Sequence, residues 1–126
     1  MNDVDSSAWL EYFSGGPNAK AFTPAIENVD ELIVPSVVLL EVFKRVFQQR
    51  GEEAALRVAA HIQMGRLISL DDDIALSAAK LGIETKLPLA DSFILATAHK
   101  FNATVWTMDS DFQGLPNVNY FPKSKK

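Results

Sequence analysis

The sequence predicts an α/β fold: a three-layer α/β/α sandwich around a central, mostly parallel sheet of four or five short strands. Two observations carry that expectation. Short apolar runs alternate with longer stretches whose apolar residues recur at helical spacing, the pattern of strand–helix–strand units wound into a parallel sheet. The chain has 126 residues, 48% hydrophobic and 22% charged. These are ordinary values for one soluble globular domain, taken as 1–126, and the length leaves little room for a second.

Taken in order, Val4 and its neighbours form a brief first strand. Ser6 or Ser7 then caps a helix through Trp9, Leu10, Tyr12 and Phe13, which Gly15-Gly16-Pro17 ends. A second helix covers Ala19 to about Asn28. Leu32-Ile33-Val34 is short and apolar, so it reads as a buried strand. A long helix follows from Pro35 or Ser36 to about Arg50, since proline is favoured in a first helical turn. Gly51 separates it from a helix running from about Glu52 to Met64. Leu67-Ile68-Ser69-Leu70 is a third strand. Asp71-Asp72-Asp73 places acids where a helix dipole favours them and opens a helix to Leu81, with Gly82 as its C-terminal cap. Leu89 to Lys100 is helical, Thr104 to Thr107 is a strand, and Val118 to Phe121 is the last one. The only low-complexity stretch is the short tail Lys123-Ser124-Lys125-Lys126.

Composition narrows the function. Cysteine is absent, which excludes disulfides, zinc ribbons and thiol nucleophiles. Twelve Lys and Arg against sixteen Asp and Glu give a formal charge of −4, and the pI is about 5.1. At face value that disfavours a nucleic-acid partner, because phosphate binding rests on basic side chains displacing counterions. The acidic start is unlike a secretory signal, and the most apolar stretch, Leu32 to Phe43, is too short to span a bilayer. No membrane partner and a cytoplasmic location are therefore expected.

In a parallel α/β sheet the functional site lies beyond the carboxyl ends of the strands. Asp5 directly follows the first strand and Asp109 follows the Thr104–Thr107 strand by two residues. Glu41 lies inside a helical segment that is apolar nearly all round. Asp91 shares a helical face with Leu87, Ile94, Leu95 and Ala98. An ionised carboxylate on a buried face costs several kcal/mol or more unless it is paired or bound to metal. Each acid also has a structural reading. Glu41 could pair with Arg45 one turn on, Asp91 and Asp5 could cap helices, and Asp109 could serve a turn. The functional reading gains because all four can reach one sheet edge without a local cation. Clustered carboxylates repel one another, and oxygen ligands without His or Cys suit Mg²⁺ or Mn²⁺ rather than zinc. The matching chemistry is metal-assisted phosphodiester hydrolysis by water.

The same residues fall into a familiar series. Val4-Asp5-Ser6-Ser7-Ala8-Trp9-Leu10, Pro35-Ser36-Val37-Val38-Leu39-Leu40-Glu41-Val42, Leu89-Ala90-Asp91-Ser92-Phe93-Ile94-Leu95-Ala96-Thr97-Ala98 and Val105-Trp106-Thr107-Met108-Asp109-Ser110-Asp111-Phe112 resemble, in order and spacing, the four motifs of PIN-domain ribonucleases. Size and the lack of extra domains look most like the VapC toxins of prokaryotic toxin–antitoxin pairs. That resemblance implies a PIN-like sandwich with Mg²⁺-dependent endoribonuclease activity (Mn²⁺ as a substitute), usually homodimeric and held inactive by a VapB-type antitoxin. It implies that Asp5, Glu41, Asp91 and Asp109 are the catalytic, metal-binding acids. It also makes Ser6, or else Ser7, the hydroxyl that supports the first Asp. Asp111 competes with Asp109; Asp109 is favoured because it lies nearer the strand end, leaving Asp111 auxiliary.

Other features read as structural. His61 and His99 have no partner at ligand spacing. Trp9, Tyr12, Phe13, Phe43 and Phe47 recur at helical spacing, as core or dimer interface would. Lys44, Arg45, Arg50, Arg57 and Arg66 read as a solvated helix face before RNA contacts. Asp3-Val4-Asp5-Ser6-Ser7 mimics the nucleophile motif of haloacid-dehalogenase-type phosphatases, but no downstream Lys is clearly placed for the phosphate. The remaining alternatives are a PIN-fold RNA-processing enzyme and a catalytically weak RNA- or partner-binding module.

Overall fold

The strand that opens the chain occupies the centre of the sheet. In the computed structural model, which describes residues 1–123, β1 (Asn2–Val4) lies between β2 (Leu32–Pro35) and β4 (Thr104–Thr107). The strands β3 (Arg66–Ile68) and β5 (Val118–Tyr120) form the two edges, in the order β3-β2-β1-β4-β5. The lysine-rich tail beyond 123 lies outside the described residues.

Every pairing is parallel, with Asn2 opposite both Leu32 and Thr104, Ile33 opposite Arg66, and Val105 opposite Val118. All five carboxyl ends therefore share one edge. From β1 the chain builds toward β3 on one side and then crosses back to add β4 and β5 on the other. The reversal of winding lies between β1 and β4, where adjacent connections diverge and leave a crevice.

Six helices connect the strands. They are α1 (Ser6–Ser14), α2 (Ala19–Glu27), α3 (Ser36–Arg50), α4 (Glu52–Ile62), α5 (Asp72–Thr85) and α6 (Leu89–Lys100). Right-handed crossovers put α1–α4 on one face of the sheet and α5–α6 on the other. Gly15 ends α1 in the left-handed conformation, its N–H bonded to the carbonyls of Glu11 and Tyr12, as the glycine pair suggests. Asp71 caps α5 by accepting the Ile74 N–H at 2.9 Å, so the acidic triplet is a helix start. Val4, Trp9, Phe22, Ile33, Val105 and Phe112 are fully buried between the layers. In α6 every residue from Ser92 to Ala98 is buried, because this helix packs against the sheet while α5 covers it.

Several boundaries differ from the sequence expectation: Asp5 rather than Ser6 or Ser7 caps α1, and β5 ends at Tyr120 rather than Phe121. The strand β3 runs over Arg66–Ile68, because pairing with Ile33–Pro35 sets its span; Ser69 and Leu70 are exposed beyond it. Gly82 does not cap α5. The helix continues to Thr85, and Lys86 adopts the left-handed cap at φ 61°. Gly82 is instead a point of close approach: a Cβ there would lie 2.9 Å from the Ser92 hydroxyl of α6. The residue is small for packing between helices, not for turning the chain.

Candidate metal centre

Asp5 joins a strand end to a helix start. Its N–H donates to the Trp106 carbonyl at 3.0 Å, continuing the β1–β4 ladder by one rung. Its side chain caps α1: Oδ1 accepts the Ala8 N–H at 3.0 Å and the Ser7 hydroxyl at 2.7 Å. Oδ2 accepts the Thr107 hydroxyl at 2.5 Å. The capping reading and the site reading therefore hold of the same carboxylate. Burial pushes the Asp5 carboxyl up to about 6, the three hydrogen bonds pull it down, and the charge of Asp109 raises it again.

Asp109 leaves the end of β4 and caps a short 3-10 turn over Ser110–Phe112, accepting the Asp111 N–H at 2.9 Å. Asp91 sits in the first turn of α6, where the aligned peptide dipoles favour an anion. Its carboxyl is nevertheless pushed up to about 7. Desolvation is the largest cause, followed by the charges of Asp109 and Asp5, a hydrogen bond with Asp109 and the charge of Glu41. Asp91 thus feels all three other acids.

Glu41 is half-buried on α3 and accepts the Ser6 hydroxyl at 2.6 Å. Among the described residues it makes no ion pair with Arg45. The two serines divide the work: Ser7 supports Asp5, and Ser6 reaches across to Glu41. Asp91, Asp109 and the exposed Asp111 each offer a carboxylate oxygen, all within 4.8 Å of one another. Asp111 therefore stands beside Asp109 at this point rather than apart from it.

No Lys, Arg or His forms an ion pair with any of these acids among the described residues. Like charges gathered without an ion-pair partner among the described residues, all presenting oxygen, fit a hard divalent cation of the Mg²⁺ or Mn²⁺ class.

Sequence reasoning missed two residues here. Thr107 is fully buried at the last position of β4; a hydroxyl ending a strand two residues before an acid was the available signal. Asp3 is also fully buried, and neither of its carboxylate oxygens has a hydrogen-bond partner. Burial holds its carboxyl well above the usual range, with Asp5 adding to the rise. Only the position of β1 in the sheet reveals that. The aromatic stripe runs from a buried Trp9 through the half-buried Tyr12, Phe13 and Phe43 to an exposed Phe47. Trp9 is buried, and it meets Tyr12, Phe13 and His61 in one aromatic cluster, so His61 is structural. Lys44, Arg45, Arg50, Arg57 and Arg66 are all exposed, with Arg57 paired to Glu53 and Arg66 lying over the Phe101 ring.

The PIN domain family model matches residues 4–117. The chain belongs to the PIN-domain family. Among solved structures, this PIN domain is similar to a toxin–antitoxin complex from Klebsiella pneumoniae, with 25% identity, a TM-score of 0.77, and 94% of this chain and 97% of that chain covered. It is also similar to the sarcin–ricin-loop-cleaving toxin VapC20 of Mycobacterium tuberculosis (20% identity, TM-score 0.76, 94% and 97% covered). DNA-bound VapBC from Salmonella typhimurium matches at 15% identity and a TM-score of 0.75, with 97% of each chain covered. The last two likenesses are of fold. Comparison with curated proteins found no match to this chain.

Proposed function

We propose that this PIN domain is a divalent-metal-dependent endoribonuclease, the toxin of a VapBC-type pair, acting in the cytoplasm. One observation carries the reading: Asp5, Glu41, Asp91 and Asp109 meet electrostatically at the carboxyl edge of the sheet, and among the described residues none of them is ion-paired with a basic side chain. Asp5, Glu41, Asp91 and Asp109 would hold Mg²⁺, with Mn²⁺ as a substitute and Asp111 as an auxiliary oxygen donor. When bound, the ion supplies positive charge that draws the scissile phosphate and assists attack by water. The protein's own part is to hold the oxygens in place. With its carboxyl raised to about 7, Asp91 binds a proton in competition with the cation near neutral pH.

The charge balance supports RNA as substrate. Setting the four site acids aside from the sixteen leaves twelve, against twelve Lys and Arg. The excess of −4 then belongs to the site, and a divalent ion turns that locus from repelling phosphate to attracting it.

Two protein partners complete the reading. The antitoxin is supported by the toxin–antitoxin complexes among the structural relatives. A cleft of about 350 Å³ between α1, α3 and α4 suits an amphipathic segment of it carrying acids, because Phe13, Val46 and Val58 line the cleft and Arg50 and Arg57 are among its walls. A second copy of the chain is supported by exposed aliphatic residues, Leu40 on α3, Leu76 and Ile83 on α5 and Leu89 on α6. Of the early-helix aromatics, Trp9 is buried, whereas Phe47 on α3 is 43% exposed and can add to that surface.

The test is RNA cleavage by purified, partner-free protein with Mg²⁺, repeated with chelator and with Asp91→Asn. Chelator is expected to abolish cleavage, and the substitution to lower it by roughly 10²-fold or more. Cleavage that survives both overturns the reading. A folded, metal-binding protein that cleaves no RNA is a binding module instead. A short neighbouring reading frame whose product binds and inhibits the domain favours the toxin over an RNA-processing enzyme.

A further inference from the structure

Two hydroxyls, that of the buried Thr107 and that of the half-buried Ser7, bind both oxygens of Asp5 to the backbone that carries Asp109. The Thr107 hydroxyl donates to Asp5 Oδ2 at 2.5 Å and accepts the Asp109 N–H at 2.8 Å. The Ser7 hydroxyl donates to Asp5 Oδ1 at 2.7 Å and accepts the Met108 N–H at 3.0 Å. The directions are forced. An amide N–H can only donate, so each hydroxyl spends a lone pair on the amide and aims its proton at the carboxylate.

The two bridges run in parallel, one from each Asp5 oxygen to consecutive amides of one loop. A single bridge would let the carboxylate swing about its bond; two at different oxygens fix its plane and its distance from the loop together. They also join segments a hundred residues apart, from opposite sides of the crevice between β1 and β4. Thr107 is suited to the inner position because it is fully buried at the end of β4, where its branched side chain has little rotamer freedom to lose.

We infer that Thr107, with Ser7 as its companion, is a positioning residue that sets the spacing between Asp5 and Asp109 and so the affinity of the site for its divalent cation. The inference rests on the metal-nuclease reading. Groups that orient ligands without touching the ion are worth about 10–100-fold in metal affinity or activity. Thr107→Val keeps the shape and removes the hydroxyl; Thr107→Ser keeps the hydroxyl and removes a methyl.

The experiment is Mn²⁺ binding, followed by electron paramagnetic resonance or calorimetry, on wild type, Thr107→Val, Thr107→Ser and Ser7→Ala, alongside RNA cleavage. The valine variant is expected to weaken Mn²⁺ binding about tenfold or more, and the serine variant to stay within about threefold of wild type. Ser7→Ala should weaken binding less than the valine variant, since Ala8 N–H still holds Oδ1. Equal Mn²⁺ affinity in wild type and a folded valine variant overturns the inference while leaving the nuclease reading intact. If the valine variant does not fold, unchanged Mn²⁺ affinity in Ser7→Ala overturns it, and a loss there that Ser7→Thr restores supports it. Wild type that binds no Mn²⁺ overturns both readings together.

Discussion

At the residue scale, the site acids are held against their electrostatic preference, and that has a sign. Asp5, Asp91 and Asp3 all have carboxyls raised above the ordinary value of 3.8 by burial, with mutual repulsion adding to it. A raised carboxyl binds its proton more tightly folded than unfolded. Its contribution to stability is whole below about pH 4 and is lost as pH rises through the folded-state values near 6 and 7. The metal-free protein is therefore expected to lose stability between about pH 4 and pH 7, seen as a falling urea midpoint. Asp91→Asn should flatten the upper part of that decline, and Mg²⁺ should restore stability at pH 7 by binding only the folded state. Asp3 gives a separate handle, since no hydrogen bond offsets its burial. Asp3→Asn should match wild type near pH 4 and exceed it at pH 8 by roughly 1–3 kcal/mol, on the scale of a buried polar group left unsatisfied. A gain that is the same at both pH values would show that ionisation is not the cause.

At the element scale, the contact between α5 and α6 places Asp91. Ser92 follows Asp91 directly and donates to the carbonyls of Leu87 and Pro88 at 3.2 and 3.0 Å, which ties the first turn of α6 to the link from α5. Gly82 lies against that hydroxyl. Alanine is the better helix former by about 1 kcal/mol, yet Gly82→Ala is expected to destabilise by about 1 kcal/mol net. The new methyl displaces the Ser92 hydroxyl and takes a donor from the Leu87 carbonyl, while the Pro88 carbonyl keeps the Ser92 N–H at 2.9 Å. In a Ser92→Ala background the same substitution should become neutral or stabilising, because the nearest remaining side-chain atom is 3.6 Å away. A double-mutant cycle in thermal unfolding reads that change of sign; additivity within 0.3–0.5 kcal/mol would refute the contact. The sequence offered Gly82 as a cap because glycine after an apolar run usually is one. Only the packed partner helix shows what it does here.

At the scale of the whole molecule, the parallel sheet gathers residues from four distant segments onto one edge, while its outer helices leave aliphatic side chains in water. Leu89 is 90% exposed, Ile83 82% and Leu76 74%. Burying each of these against a second copy returns roughly 1.5–3 kcal/mol. Light scattering at micromolar concentration is expected to give twice the 13.9 kDa chain mass. Combined Leu76→Glu and Leu89→Glu substitution should give a folded monomer with an unchanged melting temperature at low protein concentration. A wild-type monomer would remove the second copy from the reading.

The sequence by itself determined the layer architecture, because periodicity of two kinds in alternation admits few arrangements besides a parallel sheet between helices. It also pointed to the four acids, since carboxylates after strand ends or inside apolar helices are costly without a purpose. The division of roles was decided by tertiary structure. Ser6 and Ser7 are neighbours of one chemical type, and only the approach of α3 sends one to Glu41 while β4 claims the other. Thr107 looked like an ordinary strand residue until β1 came to lie beside it. Asp3 became a buried acid only because a three-residue strand was placed at the centre of the sheet. Local pattern records what each residue prefers along the chain; hydrogen bonds between segments a hundred residues apart depend on which strands become neighbours, and that is fixed only when the whole sheet closes around β1.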